Sequence, residues 1–196
     1  MTYASKGSSE LQRIYNILKN LSMEFDPDLA SKAYPQFPNF AAHLAKLFID
    51  DRLFDIMQRL ETQVKIVFKY NPSIRPALDP YISTQIGIFS KEISDFEIGH
   101  FLNYPDCCIK SFSEEIRYGL DEKHRSEMKP NGEVFVTTAG FIPHSIYCDE
   151  AISKGLVGFI PKSSVANLKK LEKELAILLP HCHSEYQEHY YEFMGE

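Results

Sequence analysis

Hydrophobic positions recur at helical spacing near the start of the chain. Leu11, Ile14, Tyr15, Leu18 and Leu21 share one face, and Ser8 or Ser9 can cap the first turn. This helix is expected to end before Asp26. The following stretch, DPDLASKAYPQFPNF, holds three prolines in fifteen residues and reads as an irregular connection, after which AAHLAKLFIDDRLFDIMQRLETQ reads as a long or broken helical segment. The period then changes to alternation. Val64 to Tyr70 (VKIVFKY) fits a strand, YISTQIGIFS a second and GEVFVTTAGFIP a third.

Helical signals return between and after these strands. Ser94 with Glu97 forms a capping-box pattern that opens a short helix through Phe101 or Leu102. Pro105 stops that helix and suits the first turn of another, predicted from about Pro105 to Tyr118 and closed by Gly119. HSIYCDEAISKG reads as a short helix capped by Ser145 and closed by Gly155. Val165, Leu168, Leu171, Leu175 and Leu178 form the stripe of a longer helix; Pro180 breaks it before a final polar and aromatic helix. The sum is an α+β fold, mostly helical, with a small sheet of about three strands flanked by helices. No internal repeat divides it, so residues 1–196 are expected to form a single domain, with an N-terminal helical part (1–62), a Cys/His-containing core (63–160) and a C-terminal helical part (161–196).

Composition narrows the partners. With 196 residues, 44% of them hydrophobic, the chain can bury a core of ordinary size, while a formal charge of −6 argues against broad contact with nucleic acid or an anionic membrane. Lys169, Lys170 and Lys173 are interleaved with Glu172 and Glu174, as in a solvated, salt-bridged face. No apolar run is long enough to cross a bilayer and the N-terminal stretch has no signal-like apolar segment, so a cytoplasmic location is expected. The common phosphate-loop, dinucleotide, zincin and serine-hydrolase motifs are absent from the sequence.

The candidate chemistry lies in HFLNYPDCCIKSF, where two of the four cysteines stand side by side at a predicted helix start. Helical neighbours are about 100° apart, so their roles should differ. Cys108 falls on the apolar stripe with Phe112, Ile116 and Leu120, and Cys107 on the polar flank with Ser111, Glu114 and Tyr118. Unpaired backbone N–H groups in the first turn favour a thiolate at Cys107, and Asp106 opposes that shift. The sequence repeats the arrangement in GFIPHSIYC, where a proline precedes His144 and Cys148. Cys107, Cys108, His144 and Cys148 thus supply soft or borderline ligands suited to zinc, or less well to iron or an iron–sulfur cluster. The spacing lacks a C-x-x-C, and adjacent cysteines splayed by a helix are an awkward chelate. Simple packing, a nucleophilic Cys107 with His144 as its base, and a disulfide to Cys148 remain open beside the metal reading.

The elements Tyr104-Pro105-x-Cys107-Cys108-x-x-x-Phe112 and Pro143-His144-Ser145-x-x-Cys148 resemble an archaeal and bacterial family known as domain-of-unknown-function family 483, over roughly Ser94 to Leu156. The resemblance implies a joint site but no reaction. In that family the place of His144 is often a Cys, which exchanges one metal ligand for another and speaks against a purely disulfide role.

Other groups are weighed against plainer roles. His181, Glu185 and His189 share a face of the expected final helix, near Cys182 and His183, and could hold a metal, although polar faces of terminal helices are usually only solvated. His43 and His100 read as core or boundary histidines, and Arg117 as an anion contact or a partner of Glu114. A third class of function, a helical interaction module, rests on the Val165 to Leu178 stripe and on Tyr190, Tyr191 and Phe193, through which copies of the chain could associate.

Overall fold

The apolar spacing of the first segment produces α1 (Lys6–Met23), which buries Leu11, Ile14, Leu18 and Leu21. The computed structural model describes residues 6–24, 26–49, 53–115, 121–128, 132–181 and 188–194. The proline-rich connection is more ordered than its composition suggests, because two of its three prolines stand at helix starts. Pro27 opens α2 (Pro27–Ala33) behind an Asp26 cap, and Pro38 opens α3 (Pro38–Ile49).

The expected strand Val64–Tyr70 is instead the end of α4 (Leu53–Tyr70). Ile56, Leu60, Gln63 and Val67 form its buried stripe. Gln63 hides this helical period in the sequence: it is fully buried because its amide donates to Ala77 O at 2.8 Å while its carbonyl accepts Asp79 N at 3.0 Å. The second expected strand is also replaced by a helix, α5 (Pro80–Gln85), whose N-cap Asp79 accepts a hydrogen bond from Tyr81 N. Then follow α6 (Asp95–Phe101), with Ser94 as its cap, α7 (Asp106–Glu114) and α8 (Glu122–Glu127). α7 ends sooner than expected, and Tyr118 and Gly119 lie outside the described residues.

The third expected strand is present as β1 (Glu133–Thr138). It is followed by α9 (Asp149–Ser153), β2 (Val157–Pro161), α10 (Lys162–Leu178) and β3 (Tyr190–Met194). The sheet is antiparallel with order β2-β1-β3. Val134 faces Ile160 and Val136 faces Gly158, while Thr137 faces Tyr191 across an irregularity in the β1–β3 pairing. β2 has no counterpart in the sequence reading, and β3 replaces part of the expected final helix.

The central strand β1 is buried on both faces, and its alternation separates two apolar clusters. Val134 and Val136 join the main core, formed by α1, α3, α4, α10 and neighbouring segments; Phe135 joins a smaller core with Cys108, Phe141, Ile146, Cys148, Ala151, Leu156 and Val157. The second core underlies the cysteine site. Among the described residues no helix is long and apolar enough to cross a membrane. The α10 stripe is largely spent within the protein's own core, with Leu168, Leu171 and Leu175 buried and only its end, Leu178, exposed.

Candidate metal centre

Two proline-led turns converge beside the smaller core. Tyr104, just before Pro105, meets Phe141, just before Ile142 and Pro143, edge to face with ring centroids 4.7 Å apart. α7 starts behind Pro105, which places Cys107 and Cys108 in its first turn. Cys108 is buried among apolar side chains and Cys107 is exposed, the division expected from the helical stripe. Their Sγ atoms nevertheless lie 4.0 Å apart. Side chains on a helix lean toward its N-terminus, and rotation about χ1 lets neighbouring thiols recover most of the separation that the backbone imposes.

The second turn supplies the other two groups. Ser145 does not cap α9; its hydroxyl accepts Tyr147 N at 3.2 Å and its carbonyl accepts Cys148 N at 3.1 Å, making a turn that presents Cys148. Cys148 is itself the N-cap, with its sulfur accepting Ala151 N at 3.5 Å. Its Sγ is 3.8 Å from that of Cys107 and 3.8 Å from that of Cys108, while His144 Nδ1 lies 3.4 Å from Cys108 Sγ. All four ligand atoms fall within 4.8 Å of one another. They form a candidate Cys3His metal-binding cluster.

Simple geometry shows what this set fits. Tetrahedral bonds of about 2.3 Å to sulfur and 2.05 Å to nitrogen separate neighbouring sulfurs by about 3.8 Å and sulfur from nitrogen by about 3.5 Å. The three sulfur separations of 4.0, 3.8 and 3.8 Å follow that figure, as does the 3.4 Å contact to His144. A disulfide would require about 2.05 Å.

Both Cys107 and Cys108 hold their protons more tightly than a free thiol. Partial desolvation of its sulfur raises the Cys107 thiol although the residue as a whole is exposed, and its contact with Cys148 adds to the rise while the contact with Cys108 lowers it. Burial is also the main cause that raises Cys108, which the adjacent sulfurs push further. At Cys107 this rise outweighs the helix-start effect expected there.

The sequence reading missed the bracket that holds this turn. α8 places Lys123, His124 and Glu127 against it: Lys123 Nζ donates to His144 O at 3.2 Å, and buried His124 bonds Pro143 O through Nε2 at 2.7 Å. Glu127 Oε2 accepts both Ile146 N at 2.9 Å and the Ser145 hydroxyl at 3.1 Å. The sequence signal was the Asp121 cap, whose side chain accepts His124 N.

Comparison with known proteins follows the same residues. The family profile described as "Protein of unknown function (DUF483)" matches residues 60–176, which include all four ligand candidates. The chain belongs to the DUF483 family. Uncharacterized protein MJ1106 of Methanocaldococcus jannaschii is 38% identical over 183 residues, covering 89% of this chain and 97% of the relative. An uncharacterized protein of Methanothermobacter thermautotrophicus is 41% identical over 148 residues, covering 72% of this chain and 81% of the relative. No solved structure matches this DUF483 chain significantly.

The other sequence candidates are dispersed. His100 is a satisfied boundary residue, with Nδ1 3.1 Å from Gln36 O and Nε2 3.1 Å from Asp106 Oδ1. His43 is half-buried in α3. Of the face weighed for His181, Glu185 and His189, His189 lies outside any helix, buried immediately before β3. Cys182, His183, Glu185 and Arg117 lie outside the described residues.

Proposed function

We propose that Cys107, Cys108, His144 and Cys148 bind one zinc ion as a four-coordinate structural centre. The observation that carries this reading is the near-equilateral sulfur triangle, with edges of 3.8 to 4.0 Å, joined by His144 Nδ1 at 3.4 Å from Cys108 Sγ. Zinc accepts three thiolates and an imidazole in this geometry, and four protein ligands leave no open position for substrate. A [4Fe–4S] cluster binds each thiolate to a different iron and needs its cysteine sulfurs further apart, and a [2Fe–2S] cluster takes its ligands in two separated pairs, which three mutually adjacent sulfurs do not match.

The ion would fasten the start of α7 to the turn between β1 and α9, over the smaller of the two cores. It would also hold Cys107 and Cys108 as thiolates despite their raised affinity for protons. Such a thiolate centre suits a reducing compartment, consistent with a cytoplasmic protein. Metal analysis of protein purified anaerobically without added metal tests the reading, with zinc expected at about one per chain. Cobalt substitution should give the intense visible bands of a tetrahedral thiolate site, and Cys108→Ser or Cys148→Ser should abolish both signals. Folded wild-type protein that carries no metal and takes up neither zinc nor cobalt would overturn it.

A further inference from the structure

A second concave site lies behind the cysteine cluster. It is a cavity of about 230 Å³ whose apolar interior includes Leu11, Ile14, Ile98, Leu102, Ile109 and Phe141. Its rim carries Phe89 and Phe112, which are 56% and 43% exposed although both are large aromatics. An apolar cavity of about 150 Å³ suffices to hold benzene, so this one has room for a somewhat larger molecule and not for a protein segment.

The charged groups around the cavity decide what kind of molecule fits. Arg75 is the one cation among its lining residues, and it is already committed: it donates to Leu102 O at 2.6 Å, pairs with Glu10 at 3.3 Å and lies 5.3 Å from the ring of Tyr104. The interior therefore offers an anion no unengaged positive charge. Exposed Asp95 and Glu188 would repel an anion at the rim. A cation would leave water for an apolar interior that already holds the Arg75 guanidinium. From this arrangement we propose that the cavity is a binding site for a small, uncharged, predominantly apolar molecule of one or two rings, with Phe89 and Phe112 closing over it.

The site does not depend on the identity of any ion at the cysteines, although Cys108 contributes to both. 1-Naphthol, a neutral fluorescent probe of two rings, tests it against the sulfonate of the same ring skeleton, naphthalene-1-sulfonate. Titration of the full chain should show saturable one-to-one binding of the neutral probe, with the sulfonate at least about tenfold weaker. Ala77→Phe and Ile98→Trp, each filling the cavity, should weaken the neutral probe by at least about tenfold with the far-ultraviolet circular dichroism unchanged. The proposal is overturned by the absence of saturable binding, by equal affinity for the sulfonate, or by wild-type affinity in either folded variant. Metal content measured on the same samples separates failure of this site from failure of the zinc reading.

Discussion

Stripping the ion should lower the melting temperature by about 10 °C. The zinc would cross-link Cys108 to Cys148, which are 40 residues apart in sequence. Treated as a cross-link that restricts the unfolded chain, closure of a loop of this length contributes about 4 kcal/mol at 25 °C. The bonds from Cys107 and His144 close nearly the same loop and add little to that entropy. A chain of 196 residues melts with an entropy of about 0.4 kcal/mol/K, so the loss corresponds to a shift of about 10 °C. Circular dichroism melts of zinc-loaded and chelator-stripped protein, both anaerobic and kept reduced, measure it directly. Adding zinc back should restore the higher transition in the wild type and have no effect in Cys148→Ser. Loaded and stripped transitions within about 2 °C of each other would refute the cross-link argument, because a metal that did not bridge α7 to the distant turn would leave the unfolded chain unrestricted.

Glu127→Gln should keep the fold but weaken zinc binding by about 10- to 100-fold in a chelator-competition titration, because the carboxylate fixes the turn bearing His144 and Cys148. Gly99→Ala should destabilise the protein by about 1–3 kcal/mol in urea unfolding, since the new Cβ would stand 2.6 Å from two carbons of Ile109 on α7; adding Ile109→Ala should recover part of the loss. His189 has its imidazole pushed down to about 4, chiefly by burial, with Arg59 and His181 adding to the effect. The unfolded chain therefore takes up a proton below about pH 6.5 that the folded protein refuses, and stability falls from that pH toward pH 4 by up to roughly 3 kcal/mol. His189→Leu should flatten that segment of a stability-against-pH curve relative to the wild type.

The joint cysteine site was legible because its chemistry-bearing residues follow two prolines, Pro105 at the start of α7 and Pro143 at the entry to the turn before α9, and proline punctuates the chain whatever the tertiary context. The Ser94 cap was legible for a similarly local reason: its hydroxyl accepts Glu97 N three residues on. The end of α4 was misread because VKIVFKY is short, branched and alternating, while the helical period that governs it runs through a polar residue, Gln63, buried by partners beyond the helix. Asp79-Pro80 was a usable cap signal for α5 that the apolar pattern of YISTQIGIFS obscured. β2 escaped because Gly158 interrupts it; the glycine lets Ile74 pack close, its Cδ1 lying 2.7 Å from where a Cβ would be. The α8 bracket depends on backbone carbonyls and amides of a distant turn, and side-chain sequence carries no record of such contacts.

X-ray absorption at the zinc edge of protein purified without added metal tests the centre most directly. The spectrum should show a four-coordinate ion with three sulfur neighbours at about 2.3 Å and one nitrogen at about 2.0 to 2.1 Å. A first shell made only of oxygen and nitrogen, or protein with no zinc to absorb, would contradict the account.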